Sequence, residues 1–266
     1  MRGMPGLLTR RRLVMAIVAA AAVVLAAGGT AVALTASGPS HVASMSRDGR
    51  ASAALKVAGG TPVLDISVGK LGGTLLRVRT PDGAPVRPVL SGSALITLSL
   101  TGAQGGGQGQ GSGYAVQVVL NSAVTWSLDL AGGTELSKVN LRGGKVGGIA
   151  VMAGSDVLDV SLPRPAGTLP FLLAGGVSQF LLSLPGGVPA QVTVGGGASS
   201  VSLDGQDLTG VAGGTVLTPP GWAAATSRFD IDATSGFSQL TVSRWSSAGS
   251  YSPRPAAARP RAWIAH

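Results

Sequence analysis

Asp230 and Asp232 stand two residues apart in the stretch Phe229-Asp-Ile-Asp-Ala233. On an extended strand, side chains at i and i+2 share a face, so this spacing sets two carboxylates side by side. Glycoside hydrolysis needs little more than two acids about 5–10 Å apart, one to protonate the leaving oxygen and one as base or nucleophile. Asp156 with Asp159, Asp204 with Asp207, and Asp129 are the other acids with that potential. The plainer reading of the first pair is that Phe229 and Ile231 point into a core while both acids face water. Other catalytic chemistries lack their reagents. The chain has no cysteine and two histidines, His41 and the terminal His266, each in a stretch that reads as unpacked. Neither a thiolate nor a Ser-His-Asp arrangement can be built from these. His/Cys zinc sites fail for the same reason, and no Gly-x-Asp calcium repeat recurs. No catalytic, cofactor-binding or metal-ligating residue is assigned, and the chain is expected not to be an enzyme.

Binding chemistry leaves fewer candidates still. Trp126, Trp222, Trp245 and Trp263 are the residues able to stack on sugar rings. Trp126 and Trp245 read as core or end-cap residues. Trp222 follows Pro219-Pro220-Gly221 in a loop sequence and is the candidate contact for a partner. The glycine-rich stretch from Gly102 to Gly113 fails as a phosphate cradle: counted from Gly107 and Gly109 the third glycine position is Ser112, and counted from Gly109 and Gly111 it is Tyr114. Lys70 and Lys145 follow glycines but precede Leu and Val, so no Gly-Lys-Ser/Thr occurs.

The net charge of +9 suggests nucleic acid until it is located. Arg2, Arg10, Arg11 and Arg12 lie at the start, and Arg254, Arg259 and Arg261 at the end. Between Lys56 and Arg244 there are eleven basic and ten acidic residues. A near-neutral body has no basic face to release counterions from phosphates, so no nucleic-acid partner is expected.

The elements that would carry these residues begin with an apolar segment. Leu13 to Leu34 is 22 residues without a charge. As a helix it would span about 33 Å, enough for a bilayer core. Leu13, Val14, Ile17, Val23, Val24, Leu25 and Leu34 are its expected membrane-facing residues. The preceding arginines place its start in the cytoplasm and everything after residue 40 outside. The alternative is a cleaved signal peptide, with Leu13–Ala27 as its apolar region and Ala31-Val32-Ala33 as the cleavage pattern. Arg10-Arg11-Arg12 also fits a twin-arginine export signal. Membrane attachment, with a cell-wall polymer or envelope protein as further partner, is the expectation; secretion after cleavage is its alternative.

Residues 41–60 are Ser, Ala, Gly and Arg without period and read as a flexible tether. A strand-rich region over 61–113 follows, with alternation in Val63–Val68 and Leu95–Leu100. Residues 114–245 read as one repetitive domain, and 246–266 as a basic, Pro-rich disordered tail. Within 114–245, short alternating runs (Trp126–Leu130, Val157–Leu162, Phe180–Leu184, Val192–Val194, Val201–Leu203) each end near glycine. Glycine groups starting at 132, 143, 154, 175, 186, 195 and 205 step by 11, 11, 21, 11, 9 and 10. A period near ten that doubles to about twenty implies one strand and corner per unit, two units per coil. No stretch reads as an amphipathic helix. The fold class is all-β: a Gly-rich β-solenoid-like domain, or alternatively a β-sandwich, preceded by one transmembrane or signal helix.

Leu162-Pro-Arg-Pro-Ala-Gly-Thr-Leu-Pro170, Gly175-Gly-Val-Ser178, Leu184-Pro-Gly-Gly-Val-Pro189 and Gly195-Gly-Gly-Ala-Ser-Ser200 together resemble actinobacterial envelope proteins with GGAS-type strand repeats. More distantly, the pattern is similar to the toast-rack β-solenoids of adhesin-type and cell-envelope stress proteins. The likeness covers 114–245 and implies a fold and an envelope location, with a structural, adhesive or envelope-response role. It carries over no catalytic residue. Two other functions stay open: a secreted glycan-binding module using Trp222, and a glycan-active β-helix enzyme using paired aspartates.

Overall fold

The computed structural model describes residues 40–102 and 113–246. The expected membrane segment with Leu13, Val14, Ile17, Val23, Val24, Leu25 and Leu34, most of the glycine-rich stretch, and the tail with Trp263 and His266 lie outside the described residues. Among the described residues there is no helix long and apolar enough to cross a membrane.

The chain is all-β. Its strands are β1 (Val42–Ser46), β2 (Ser52–Val57), β3 (Thr61–Gly69), β4 (Thr74–Arg79), β5 (Arg87–Ser91), β6 (Leu95–Thr101) and β7 (Ala115–Asn121). There follow β8 (Thr125–Leu130), β9 (Thr134–Asn140), β10 (Lys145–Val151), β11 (Ser155–Ser161), β12 (Thr168–Leu173) and β13 (Val177–Pro185). The last are β14 (Ala190–Val194), β15 (Ala198–Leu203), β16 (Gln206–Val211), β17 (Thr215–Leu217), β18 (Arg228–Ala233) and β19 (Phe237–Trp245).

They form two mixed sheets. Sheet A has ten strands in the order β1-β4-β7-β3-β9-β11-β13-β19-β15-β16. Sheet B has nine, in the order β17-β14-β18-β12-β10-β8-β2-β6-β5. The pairs from β7 to β15 in sheet A and from β14 to β6 in sheet B are parallel, while β1–β4, β4–β7, β15–β16, β14–β17 and β5–β6 are antiparallel. A parallel neighbour requires a crossover, and here the crossover is a strand in the other sheet: β8 leads to β9, β10 to β11 and β12 to β13. Each pass returns one strand further along both sheets.

Alternation explains why these residues form these strands. In sheet B, Ile96, Leu55, Leu128, Ile149, Phe171, Ile231 and Val192 fall in one inward register row across neighbouring strands. Val78, Val118, Ile66, Val139, Val160, Leu182, Val242 and Leu203 form the matching row of sheet A. The two rows belong to a single core cluster. Phe171 of sheet B stacks on Phe180 of sheet A with ring centroids 5.3 Å apart. A slip of one residue in any strand would turn its whole row to water, so the core pins the register.

Two expectations about segments are corrected. Residues 41–60 are not a tether: they hold β1 and β2, and β2 lies between β8 and β6 with Leu55 fully buried. The division near residue 113 does not appear in the sheets, because β3 pairs with both β7 and β9. His41 is packed as well, its Nδ1 lying 2.9 Å from Thr80 Oγ1.

Candidate functional site

Five of the corners where the chain crosses from sheet B to sheet A carry a pair of small residues, Gly59-Gly60, Gly132-Gly133, Ala153-Gly154, Gly175-Gly176 and Ser235-Gly236, and the corner from β14 to β15 carries Gly195-Gly196-Gly197. The corners stack through a repeated hydrogen-bond pattern. The Val57 carbonyl accepts from the Ala131 and Gly132 N–H groups at 2.9 and 3.0 Å, and the Val151 carbonyl accepts from Ala174 and Gly175 at 2.8 and 3.0 Å. Leu130 does the same for Met152 and Ala153, and Leu173 for Thr234 and Ser235. One step on, Thr61 donates to the Gly133 carbonyl, Thr134 to Gly154 and Ser155 to Gly176, each at 3.1 Å. This stacking brings backbone onto backbone. A Cβ at Gly132 would overlap the Gly59 carbonyl, and one at Gly175 the Ala153 carbonyl, so the close approach itself excludes a side chain.

The missing side chains leave an open groove of about 860 Å³ running across the strands. Its floor is glycine backbone from Gly154, Gly176, Gly196 and Gly236, and its rim carries Ser178, Ser199 and Ser238. Beneath it Thr134 Oγ1 lies 2.8 Å from Ser155 Oγ and 2.7 Å from Ser137 Oγ, and Ser155 Oγ also donates to the Val157 carbonyl at 2.9 Å. Asp156 is the one ionisable side chain of the lining. On β9 the position beside it, between Thr134 and Leu136, is Glu135, which is outside the lining. The arrangement can hold an elongated polar ligand by hydroxyl and main-chain hydrogen bonds.

The outer face of sheet A presents a second ordered surface. Ser67, Asn140, Ser161, Ser183 and Ser243 are in register on five adjacent parallel strands, none of them buried. Strands repeat every 4.7–4.9 Å, roughly, so this row sets short polar groups at that interval. Arg142 Nη2 donates to Ser183 Oγ at 2.7 Å and the guanidinium lies 5.2 Å from the Trp245 ring centroid, which ends the row.

The acids singled out from the sequence are dispersed. Asp230 and Asp232 do share the outer face of sheet B, while Phe229 and Ile231, which alternate with them, are buried. Their in-register neighbours are Pro170 and Gln191, and Leu172 and Thr193. They line neither of the two grooves described here. Asp204 is held by Arg244 at 2.6 and 2.7 Å, Asp129 lies 3.5 Å from Lys56 Nζ, and Asp207 sits on the edge strand β16. Asp159 has Lys138 as its register partner on β9. No group of three or more His, Cys, Asp or Glu suited to a metal ion occurs among the described residues.

Trp222 is half-buried. Its indole N–H donates to the Phe229 carbonyl at 2.8 Å, and the Arg228 guanidinium covers its ring at 4.5 Å. Arg228 in turn donates to the Trp222 and Ala223 carbonyls at 3.2 and 2.7 Å. Loop and strand start are thus closed on each other. Beside them Pro219, Pro220, Val188, Pro189 and the Asp204–Arg244 pair enclose a smaller groove of about 470 Å³. Trp126 is fully buried and donates to the Asn121 carbonyl at 3.0 Å.

The corner groove was missed in the sequence, although its signal was there: the glycine groups 21 or 22 residues apart at 133, 154, 176 and 197 mark the same corner of successive passes. No protein-family model matches the chain, and no curated protein matches it in sequence. In fold it is similar to the crystal structure of a candidate cell adhesion protein from Clostridium sporogenes, at 16% identity and a TM-score of 0.56, over 76% of this chain and 97% of that one.

Proposed function

We propose that the chain is an extracytoplasmic, membrane-tethered β-solenoid-like module with a structural or adhesive role and no catalysis. The observation that carries this reading is the outer face of sheet A, where Ser67, Asn140, Ser161, Ser183 and Ser243 repeat in register across five parallel strands. A rigid row of short hydroxyl and amide groups suits a repetitive partner such as a wall polymer, because each strand offers the same contact again. The passage of the chain from sheet B to sheet A and back, two strands per pass, supports the solenoid-like reading over a sandwich of hairpins. The likeness to an adhesion protein agrees with it. Residues 13–34 supply the tether, and their basic start the orientation.

The test has two parts. Cell fractionation with the mass of the mature N-terminus decides attachment: residues 1–40 intact in the membrane pellet support it, and a soluble product beginning near Leu34 replaces it with secretion. Sedimentation with cell-wall fragments decides adhesion. A Ser161→Glu/Ser183→Glu/Ser243→Glu variant should lose binding at unchanged melting temperature. Equal sedimentation of variant and parent would remove the face from the proposal.

A second reading rests on the corner groove, whose polar floor is open enough for a glycan chain. Gly176→Asp would place a carboxylate on that floor. Loss of wall binding in this variant, with the serine row intact, would favour the groove over the face.

A further inference from the structure

Between Lys56 and Arg244 basic and acidic residues nearly cancel along the chain, but in space they separate, which corrects the expected lack of a basic face. The strands of the two sheets end on two flanks of the molecule. One flank carries the glycine groove and the crossings from sheet B to sheet A. The opposite flank carries the crossings from sheet A to sheet B, such as β9 to β10 and β11 to β12. There Lys70, Arg142, Lys145 and Arg164 are all exposed. Arg47, Arg50, Arg228 and Arg244 lie on the same flank, against the acids Asp48, Asp204 and Asp207. The groove flank is the reverse, with Asp82, Asp129, Glu135, Asp156 and Asp232 against Lys56, Arg79 and Arg87.

The four exposed cations are neighbours. β3, β9 and β11 lie side by side in sheet A, with Ser67, Asn140 and Ser161 in register. Lys70 and Arg164 each follow that row by three residues and Arg142 by two, so they come from strands roughly 5 Å apart. Lys145 opens β10 just across the corner Gly143-Gly144. None of the four takes part in either ion pair among the described residues, Lys56–Asp129 and Arg244–Asp204. Arg142 Nη2 donates to Ser183 Oγ at 2.7 Å and Arg164 Nη2 to the Gly186 carbonyl at 3.1 Å. Each guanidinium is thus held on the flank by one of its five donors. Like charges fixed this close repel one another, a cost that a bound polyanion removes.

We propose that this basic flank, together with the adjoining serine row, binds a linear polyanion of the cell wall whose repeat carries a phosphodiester or carboxylate group. The inference rests on the adhesive reading above and names the chemistry of its partner. The serine row offers hydroxyls to the sugar or polyol part, and Lys70, Arg142, Lys145 and Arg164 meet the charge. β1 begins on the groove flank, where Val42 pairs with Arg79 at the end of β4. On the tethered reading the chain therefore arrives at the groove flank, and the basic flank lies one strand length, about 20 Å, beyond it. That position favours a wall polymer over lipid headgroups.

The test uses the full chain in detergent over immobilised poly(glycerol phosphate) and polygalacturonate, with dextran as the neutral control. At least one polyanion should bind and dextran should not. Four neutralised charges predict a roughly fiftyfold loss of affinity between about 50 and 200 mM salt. Lys70→Gln/Lys145→Gln/Arg164→Gln should bind more weakly, and its loss over the same salt range should shrink to roughly threefold, that of one contact. All three positions are exposed, so the melting temperature should not change. Arg77→Gln/Arg79→Gln/Lys138→Gln removes the same charge from exposed positions along the strands of sheet A and should bind like the parent. Equal weakening by the two variants would mean that net charge alone is read, and would overturn the proposal. Tighter binding of single-stranded DNA than of either polyanion would overturn it too. A chain that sediments with wall fragments yet binds neither polyanion would overturn it while leaving the adhesive reading in place.

Discussion

At the scale of the residue, a single methyl group should separate two kinds of glycine. Gly175 has its Cβ position overlapping the Ala153 carbonyl, whereas the position at Gly73 is open and its backbone is ordinary. Gly175→Ala must push two corners apart and should cost about 3 kcal/mol. Gly73→Ala only restricts the unfolded chain and should be neutral or stabilising by up to about 1 kcal/mol. Urea unfolding of the two variants checks this, and similar midpoints would mean that the stacked corners yield easily. Asp204 raises a different question, because it combines a left-handed backbone (φ 50) with a two-point contact to Arg244. Asn tolerates that backbone and keeps one acceptor but loses the charge. With the Asp204 side chain 38% exposed, screening limits the loss to about 1 kcal/mol. Asp204→Ala should cost about 1 kcal/mol more, from the strain of φ > 0 on a residue without a local hydrogen bond. Unfolding of both variants at low and high salt separates the terms: the Asn cost should shrink with salt, and the Ala-minus-Asn difference should not.

At the scale of the element, the last two strands are not at the end of anything. β18 is paired on both sides by β12 and β14, and β19 by β13 and β15. A chain ending at residue 227 would leave four bare strand edges, and it should show no cooperative transition and should aggregate. A chain ending at Ser246 keeps every strand and should keep its transition. If the shorter chain still melts sharply, the interior place of β18 and β19 is wrong. This arrangement also shows what a sequence can and cannot disclose. Val63–Val68, Phe180–Leu184 and Val201–Leu203 were legible because alternation is a local property of each strand. The glycine steps disclosed the corners, because a close backbone approach excludes every other residue there. β2 was missed: Ser-Ala-Ala-Leu-Lys-Val offers two large apolar residues, and its partners β6 and β8 lie some 40 to 70 residues away. Strand order was hidden for the same reason. Nothing local in β14 says that β18 will come between it and β12. The carboxylates were read correctly as sharing a face, but Gln191 became visible as their neighbour only once β14 was paired with β18.

At the scale of the whole molecule, the exchange of strand order happens at both ends. β2 and β3, early in the chain, lie inside β6 and β7, just as β18 and β19 lie inside β14 and β15. In an array of coils in simple sequence order, unfolding can begin at either terminus and pass from unit to unit. Here each terminal pair is flanked on both sides in both sheets, and all strands share one core cluster. Opening the first or last coil therefore breaks four strand pairings and exposes residues such as Leu55, Ile66, Phe229 and Leu240, all fully buried. The least costly openings are instead at the sheet edges β1, β5, β16 and β17, which have neighbours on one side only. Hydrogen exchange should thus give β2, β3, β18 and β19 protection equal to that of the central β10–β13, with the edge strands exchanging fastest. The ordering follows position in the sheets and runs against position in the chain. Protection falling off steadily from the centre of the sequence toward both termini would mean that the coils come apart one by one, and that the interlocked ends contribute no barrier.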